Sequence, residues 1–299
     1  MSQFIELLIS GLSLGCIYAL IAMGFVVVFK ATNVVNFAHA SVLMLGAYLV
    51  ARWHGALGFF GAVGVAAVSC AAVAALCDIV LVRALRRRRG SQEVLAILTI
   101  AINIVLGTAL TRQVGTDLLP SGAPWGSDVT HFLGVTVPQA RIAAAAVALV
   151  LMGLFWLAFT RSDWGVAMRS VASDPEAAAL NGIRLGRVSA GAWALAGALA
   201  AIGGAFFTSF PAPGVNNATG LLALTAIPAA VLGGLDSTAG AVVGGLTIGV
   251  ATTLASGYQD QIAFLGRGLS EVVPYIALLV VLLWQLGRRW RRRSIPSRG

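Results

Sequence analysis

Few side chains in this sequence are equipped for chemistry, and most of those lie inside long apolar runs. Asn36, His39 and Ser41 open the run 36–51, Asn103 sits in the middle of 93–111, and Thr225 and Pro228 fall in 222–235. A polar group at hydrocarbon depth is costly, so each is a functional candidate. If Asn36 caps a half-helix, the first amides of that helix and the positive end of its dipole suit a carboxylate. Hydrogen bonding between packed helices is an equal reading for an isolated Asn or Thr. For His39 alone it is the more ordinary one.

Catalytic parts are missing from the sequence. There is no Gly-x-Ser-x-Gly, no His-Glu-x-x-His and no pair of aspartates at mid-run, so an intramembrane hydrolase is disfavoured and no catalytic residue is expected. Cys16, Cys70 and Cys77 stand in apolar runs without Cys-x-x-Cys or Cys/His spacing, which provides neither a disulfide framework nor a metal site. The one lysine, Lys30 in Val-Phe-Lys-Ala-Thr, follows no glycine-rich loop, so the chain is not itself a P-loop ATPase and is expected to bind no cofactor.

The elements that hold these residues follow from composition. Of 299 residues, 59% are hydrophobic and 10% charged, against roughly 25% charged in an ordinary soluble domain. The apolar runs are long enough to cross a hydrocarbon core of ~30 Å. They predict an all-α, polytopic transmembrane bundle with spans near 4–29, 36–51, 58–82, 93–111, 142–159, 189–210, 222–235, 239–256 and 271–287, that is, about eight to nine membrane segments. The runs near 36–51 and 222–238 are short and are expected to be broken or re-entrant helices. Residues 1–287 read as one transmembrane domain with a loop at 160–188, and 288–299 as a basic tail. Met1 to Glu6 carry no Lys or Arg, so the first run reads as a retained span rather than a cleaved signal.

The net charge of +9 raises the question of a nucleic-acid partner, but the arginines stand in the breaks between apolar runs, as topology charge does. With the N-terminus outside, sixteen of the twenty basic residues fall on the inner side: Lys30, the cluster Arg83 to Arg89, four in the 160–188 loop and six in the tail. Only Arg52, Arg112, Arg141 and Arg267 fall outside, which sets the C-terminus in the cytoplasm and favours nine crossings. Trp53 and Trp125 read as anchors at the outer interface, and Trp156, Trp164, Trp193, Trp284 and Trp290 at the inner one. Gly11-x-x-x-Gly15, Gly240-x-x-x-Gly244, Gly245-x-x-x-Gly249 and the alanine-rich stretch 190–205 predict close helix packing. The outer stretch 112–141, with Pro120, Gly122, Pro124, Gly126 and Pro138, reads as a surface for a soluble partner or as an ordered cap.

The 160–188 loop carries the grammar of a short helix with both ends specified. Asp174 is an N-cap, Pro175 fits the first helical position, Glu176 complements the dipole, and Ala177 to Leu180 favour helix. Asn181-Gly182 stops it. A helix that short is marginal in water and needs a partner. Its alanine-rich face, with no basic side, makes a soluble docking domain a better partner than the lipid surface.

The run from Gly165 to Ile183 resembles the coupling loop of the branched-chain amino-acid ABC permeases of the LivH type. Two further stretches agree with it: Gly15 to Phe25 followed by Asn36 to Tyr48, and Val231 to Gly245. The resemblance implies that Asp174, Pro175, Glu176, Ala177 and Gly182 form the docking helix for an ATPase. It also implies a second homologous permease or a second copy of this chain, two cytoplasmic ATP-binding subunits that hold ATP and Mg, an extracytoplasmic substrate-binding protein, and membrane lipid, with no nucleic acid. The chain departs from the family at Ala40 and Ser41, where relatives carry Gly-Glu; the lost glycine and carboxylate weaken the assignment of a substrate. The competing expectation, a gradient-driven transporter of small amphiphilic solutes, suffers because Asp78, Glu93, Asp236 and Glu271 all stand at predicted span ends rather than at mid-membrane.

Overall fold

The computed structural model describes residues 2–293 apart from 89, 116–117, 123–124, 126–127, 133–134, 210–213, 217–218, 260 and 262–268. Arg89, Arg267, Pro124, Gly126 and the tail beyond 293 therefore lie outside the described residues, as do the side chains of Trp284 and Trp290.

The first apolar run forms α1 (Ser2–Thr32), which ends where Asn33 takes a left-handed φ of 54°. Its apolar window is 89% buried by the rest of the chain, so α1 is the axis of the bundle. The next helix, α2 (His39–Cys77), is interrupted at Gly58 (φ 70°, ψ 166°). Cys70 Sγ lies 3.6 Å from the Val42 carbonyl, 28 residues away. A continuous helix would hold those residues about 42 Å apart. The two halves therefore fold back on one another as a hairpin whose turn is Gly58. The backbone break thus comes at Gly58, not at residue 51, because Arg52, Trp53 and His54 satisfy their backbone groups inside the helix.

A π-turn (Asp78–Val82) and α3 (Arg83–Arg87) complete the second half of that hairpin, and α4 (Gln92–Val114) follows. A small β-hairpin, β1 (Val129–Phe132) paired antiparallel with β2 (Val135–Pro138), leads into α5 (Gln139–Arg161). Next come α6 (Asp163–Ser173), α7 (Pro175–Leu180) and α8 (Leu185–Phe207). A broken segment runs through α9 (Thr219–Leu222), a 3-10 turn (Ala223–Thr225) and α10 (Ala226–Gly233), and α11 (Thr238–Gly257) and α12 (Leu269–Arg293) close the chain. Among the described residues six helices, counting the α2 hairpin and α3 as one, are long and apolar enough to cross a membrane. The all-α polytopic bundle expected from hydropathy is what forms, with the broken segment in 219–233.

The bundle has two distinct ends. The hairpin end carries β1 and β2 and the stretch before them, which is pinned down: Leu119 pairs with Val215, Ser121 Oγ donates to Thr208 O at 2.7 Å, and Trp125 packs edge-on against Phe59 and Phe60. The basic end carries Lys30, Arg83, Arg86 and Arg87 with α6 and α7. There Phe159 lies under two cations, Lys30 Nζ at 4.8 Å from its ring centre and Arg169 at 5.5 Å, which ties α1, α5 and α6 together.

Small residues set the packing. Gly11 and Gly15 of α1 meet Gly245 and Gly249 of α11 so closely that a Cβ on Gly249 would stand 2.3 Å from the Gly15 backbone. The Ala/Gly face of α8 receives both halves of the α2 hairpin, with Gly204 against Leu43 and Gly197 against Cys70. Trp193 departs from the expected interfacial position. It is buried among Val28, Ala74, Val82 and Leu95, because this face of α8 turns toward α1 and the hairpin rather than toward lipid. Trp53 and Trp156 are exposed.

Candidate functional site

Two groups of the singled-out residues occupy separate places, one within the bundle and one at its basic end. Between α1 and α2 the chain turns over residues 33–38, with Val34, Asn36 and Ala38 buried, and buried amides need acceptors. The amide of Phe37 donates to Thr99 Oγ1 (3.2 Å), that of Ala38 to Asn36 Oδ1 (3.1 Å) and that of Ser41 to Asn103 Oδ1 (3.0 Å). The His39 amide donates to Asn36 O and that of Val42 to Ala38 O. Ser41 Oγ donates back to Ala38 O at 2.9 Å.

Ser41 and Asn103 therefore lace α4 to the start of α2, and Asn36 joins that lacing from within the turn by accepting from the Ala38 amide. The first amides of α2 already have acceptors within the protein. Thr99, one turn before Asn103 and facing the same way, completes the lacing; sequence reasoning missed it, although its spacing of four from Asn103 was there to be read. The expected outcome of Asn103→Leu is a loss of about 1–3 kcal/mol of stability, because the Ser41 amide is left buried without a partner. The thermal midpoint of the full-length chain in detergent checks this, and an unchanged midpoint would mean that Thr99 alone holds the turn.

His39 stands within that laced turn, but its buried ring points to α1. Its ring lies 4.5 Å from Phe25 and directly over Gly24, where a Cβ would collide with it, and its Nε2 has no partner among the described residues. Thr225 and Pro228 stand apart from it on the broken segment. Thr225 is in hydrogen-bond contact with Tyr18 of α1, while Pro228 is buried in α10, which lies against the opening turns of α11.

At the basic end the expected short helix is α7, and both of its ends are built from the residues that specified it. Asp174 Oδ1 accepts from the amides of Glu176 (2.9 Å) and Ala177 (3.0 Å), and Pro175 occupies the first turn. At the other end Gly182 takes φ 83°, its amide donates to Ala179 O, and the Ile183 amide donates to Ala178 O. That is a Schellman closure, and it leaves few carbonyls for water.

Only Ala178 of α7 is buried; Leu180 is 89% exposed, and Pro175, Glu176, Ala177 and Ala179 are also exposed. The support beneath it is α6, an eleven-residue helix in a stretch read from sequence only as loop. Its inward face is Gly165, Met168 and Val171, with Trp164 against Gly191 of α8, and Ser162 Oγ caps it by accepting from the Gly165 amide at 3.0 Å. Arg169 also donates to the Phe159 carbonyl. The arrangement is an exposed, pre-formed apolar knob on a rigid arm that touches α1, α5 and α8.

A family profile described as "Branched-chain amino acid transport system / permease component" matches residues 7–282, which include both the polar lacing and the α6–α7 arm. The chain belongs to this family. Its relatives include the high-affinity branched-chain amino acid transport system permease protein LivH of Salmonella typhimurium and that of Escherichia coli, each 31% identical over 94% of this chain and 93% of the relative. The permease protein BraD of the corresponding system in Pseudomonas aeruginosa is 29% identical over 95% of this chain and 94% of its own length. No solved structure matches the chain. As a member of the permease family with a bundle of apolar helices, the chain is a multi-pass membrane protein and its relatives are named as permeases, not enzymes.

Proposed function

We propose that the chain is a membrane-spanning subunit of an ATP-binding-cassette importer for branched-chain or related amino acids, in the cytoplasmic membrane with its N-terminus outside and its basic tail inside. The observation that carries this reading is α7, a helix capped at both ends whose apolar residue Leu180 is almost wholly exposed. Such a knob suits a groove on a soluble ATPase that binds ATP and Mg, with Asp174, Pro175, Glu176, Ala177 and Gly182 holding its shape. ATP binding draws two such subunits together, and α7 moves with them. Because α6 is wedged against α1, α5 and α8, that motion reaches the axis of the bundle rather than a loose loop.

A second permease, homologous or identical, completes the path, and the hairpin end receives the extracytoplasmic binding protein. The polar lacing of Asn36, Ser41 and Asn103 holds the start of α2 in shape beside that path, with His39, Thr225 and Pro228 on neighbouring segments. Uptake of radiolabelled leucine by right-side-out vesicles carrying the whole system is expected to need internal ATP and to survive collapse of the ion gradients by an uncoupler. Uptake that stops with the uncoupler while ATP is maintained would overturn the reading.

A further inference from the structure

At the basic end, between the π-turn with α3 and the start of α8, lies a cavity of about 320 Å³ lined by Asp78, Arg83, Arg86, Arg87, Gly186 and Ser189. Its charge is one-sided. Asp78 is the one carboxylate here and is buried: its Oδ1 accepts from Ser189 Oγ at 2.7 Å, and its Oδ2, without a hydrogen-bond partner among the described residues, stands 3.7 Å from Arg83 Nη2, which donates to the Gly186 carbonyl at 2.6 Å. Two further guanidinium nitrogens, Arg83 Nε and Arg86 Nη2, are buried without an acceptor among the described residues. Buried donors on a cation call for an anionic acceptor, and a guanidinium fork matches the paired oxygens of a phosphate.

The helical turns that lead into the cavity narrow the choice of anion. Leu76, Ile79, Val80 and Leu81, on the turns that lead into Arg83, are large apolar residues left exposed. Leu76, Ile79 and Val80 are spaced as one stripe along a helix. A ligand bound here meets positive charge at one end and an apolar track at the other, which is the amphiphilic pattern of lipid and not of a free ion. Basic pockets between helices at a membrane edge are suited to such headgroups.

We propose that this cavity holds the phosphate headgroup of an anionic phospholipid, with its acyl chains along Leu76 and Val80, and that the bound lipid clamps the α2 hairpin to the start of α8. Arg83 and Arg86 supply the donors and Arg87 the field at the rim.

The test uses the full-length chain, purified in mild detergent with the subunits that accompany it, and titrates phosphatidylglycerol, phosphatidylcholine or inorganic phosphate while the thermal midpoint is read. Phosphatidylglycerol is expected to raise the midpoint saturably and phosphatidylcholine to leave it unchanged. Arg86→Gln should weaken half-saturation by roughly five- to tenfold, Arg86→Lys by less, and Arg112→Gln, at the other end of the bundle, not at all. Should Arg86→Gln not accumulate, retention of phosphatidylglycerol by Arg86→Lys and Arg87→Gln in native mass spectrometry gives the same comparison, with reduced retention expected. Equal responses of wild type and the arginine variants would overturn the site. Full stabilisation by inorganic phosphate, with displacement of the lipid, would overturn the lipid assignment in favour of a soluble phosphate anion.

Discussion

Replacing Leu180 with aspartate is expected to abolish ATP-driven uptake while the chain still inserts and folds. Leu180 is 89% exposed, so its side chain contributes almost nothing to the stability of the bundle. At an interface the central apolar anchor carries a large share of the binding energy, and its loss costs about 2–4 kcal/mol. Docking of the ATPase should therefore weaken by roughly thirty- to a thousandfold, since each 1.4 kcal/mol is tenfold. Affinity of the purified ATPase for the detergent-solubilised chain and leucine uptake in vesicles read the effect, and the thermal midpoint serves as the control. Uptake within twofold of wild type would show that α7 is not the docking element. Gly182→Val tests the same helix from within, because a β-branched residue at φ 83° is strained and opens the closure at Ala178 and Ala179. Glu176→Lys places a cation at the positive end of the helix and should weaken docking less.

Gly249→Val is expected to destroy the folded bundle rather than its coupling. A Cβ there would stand 2.3 Å from the Gly15 Cα and 2.7 Å from the Gly11 carbonyl, and both obstacles are backbone that has nowhere to go without parting α1 from α11. Overpacking of this kind costs about 3 kcal/mol or more, and α1 is the element on which the other spans rest. The chain should lose its monodisperse peak in size-exclusion chromatography, or its midpoint should fall by ten degrees or so. Gly153→Val is the matched control: it stands on α5 with nothing within 4 Å of an added Cβ and should be neutral. Equal behaviour of the two variants would refute the interlock.

Legibility of the site followed the distance over which each contact acts. The α7 helix could be read in full because its caps bond within the helix or no more than two residues beyond it: Asp174 to the amides of Glu176 and Ala177, Gly182 to Ala179. The neighbouring α6 could have been read as well, since Ser162 and Asp163 mark its start and Met168 and Val171 lie on one face with Trp164. The hydrogen bond from the Ser41 amide to Asn103 spans 62 residues, and nothing local to either residue announces the other. The same is true of Ser189 and Asp78, separated by 111 residues.

The sequence by itself determined that the chain is an all-helical membrane bundle, roughly where its spans begin and end, and that 174–182 forms a capped helix. Those outcomes depend on hydropathy summed over one span and on backbone bonds closed within a turn. Only the tertiary structure decided that the fold-back between the 36–51 and 58–82 runs turns at Gly58, that the Gly11/Gly15 pair meets Gly245/Gly249, and that Trp193 faces the interior. Lipid is as apolar as the inside of the bundle, so hydropathy does not tell a buried face from an exposed one. Which face a span buries is decided by close approach of small residues and by polar contacts between segments far apart in the chain, and both exist only once the helices have met.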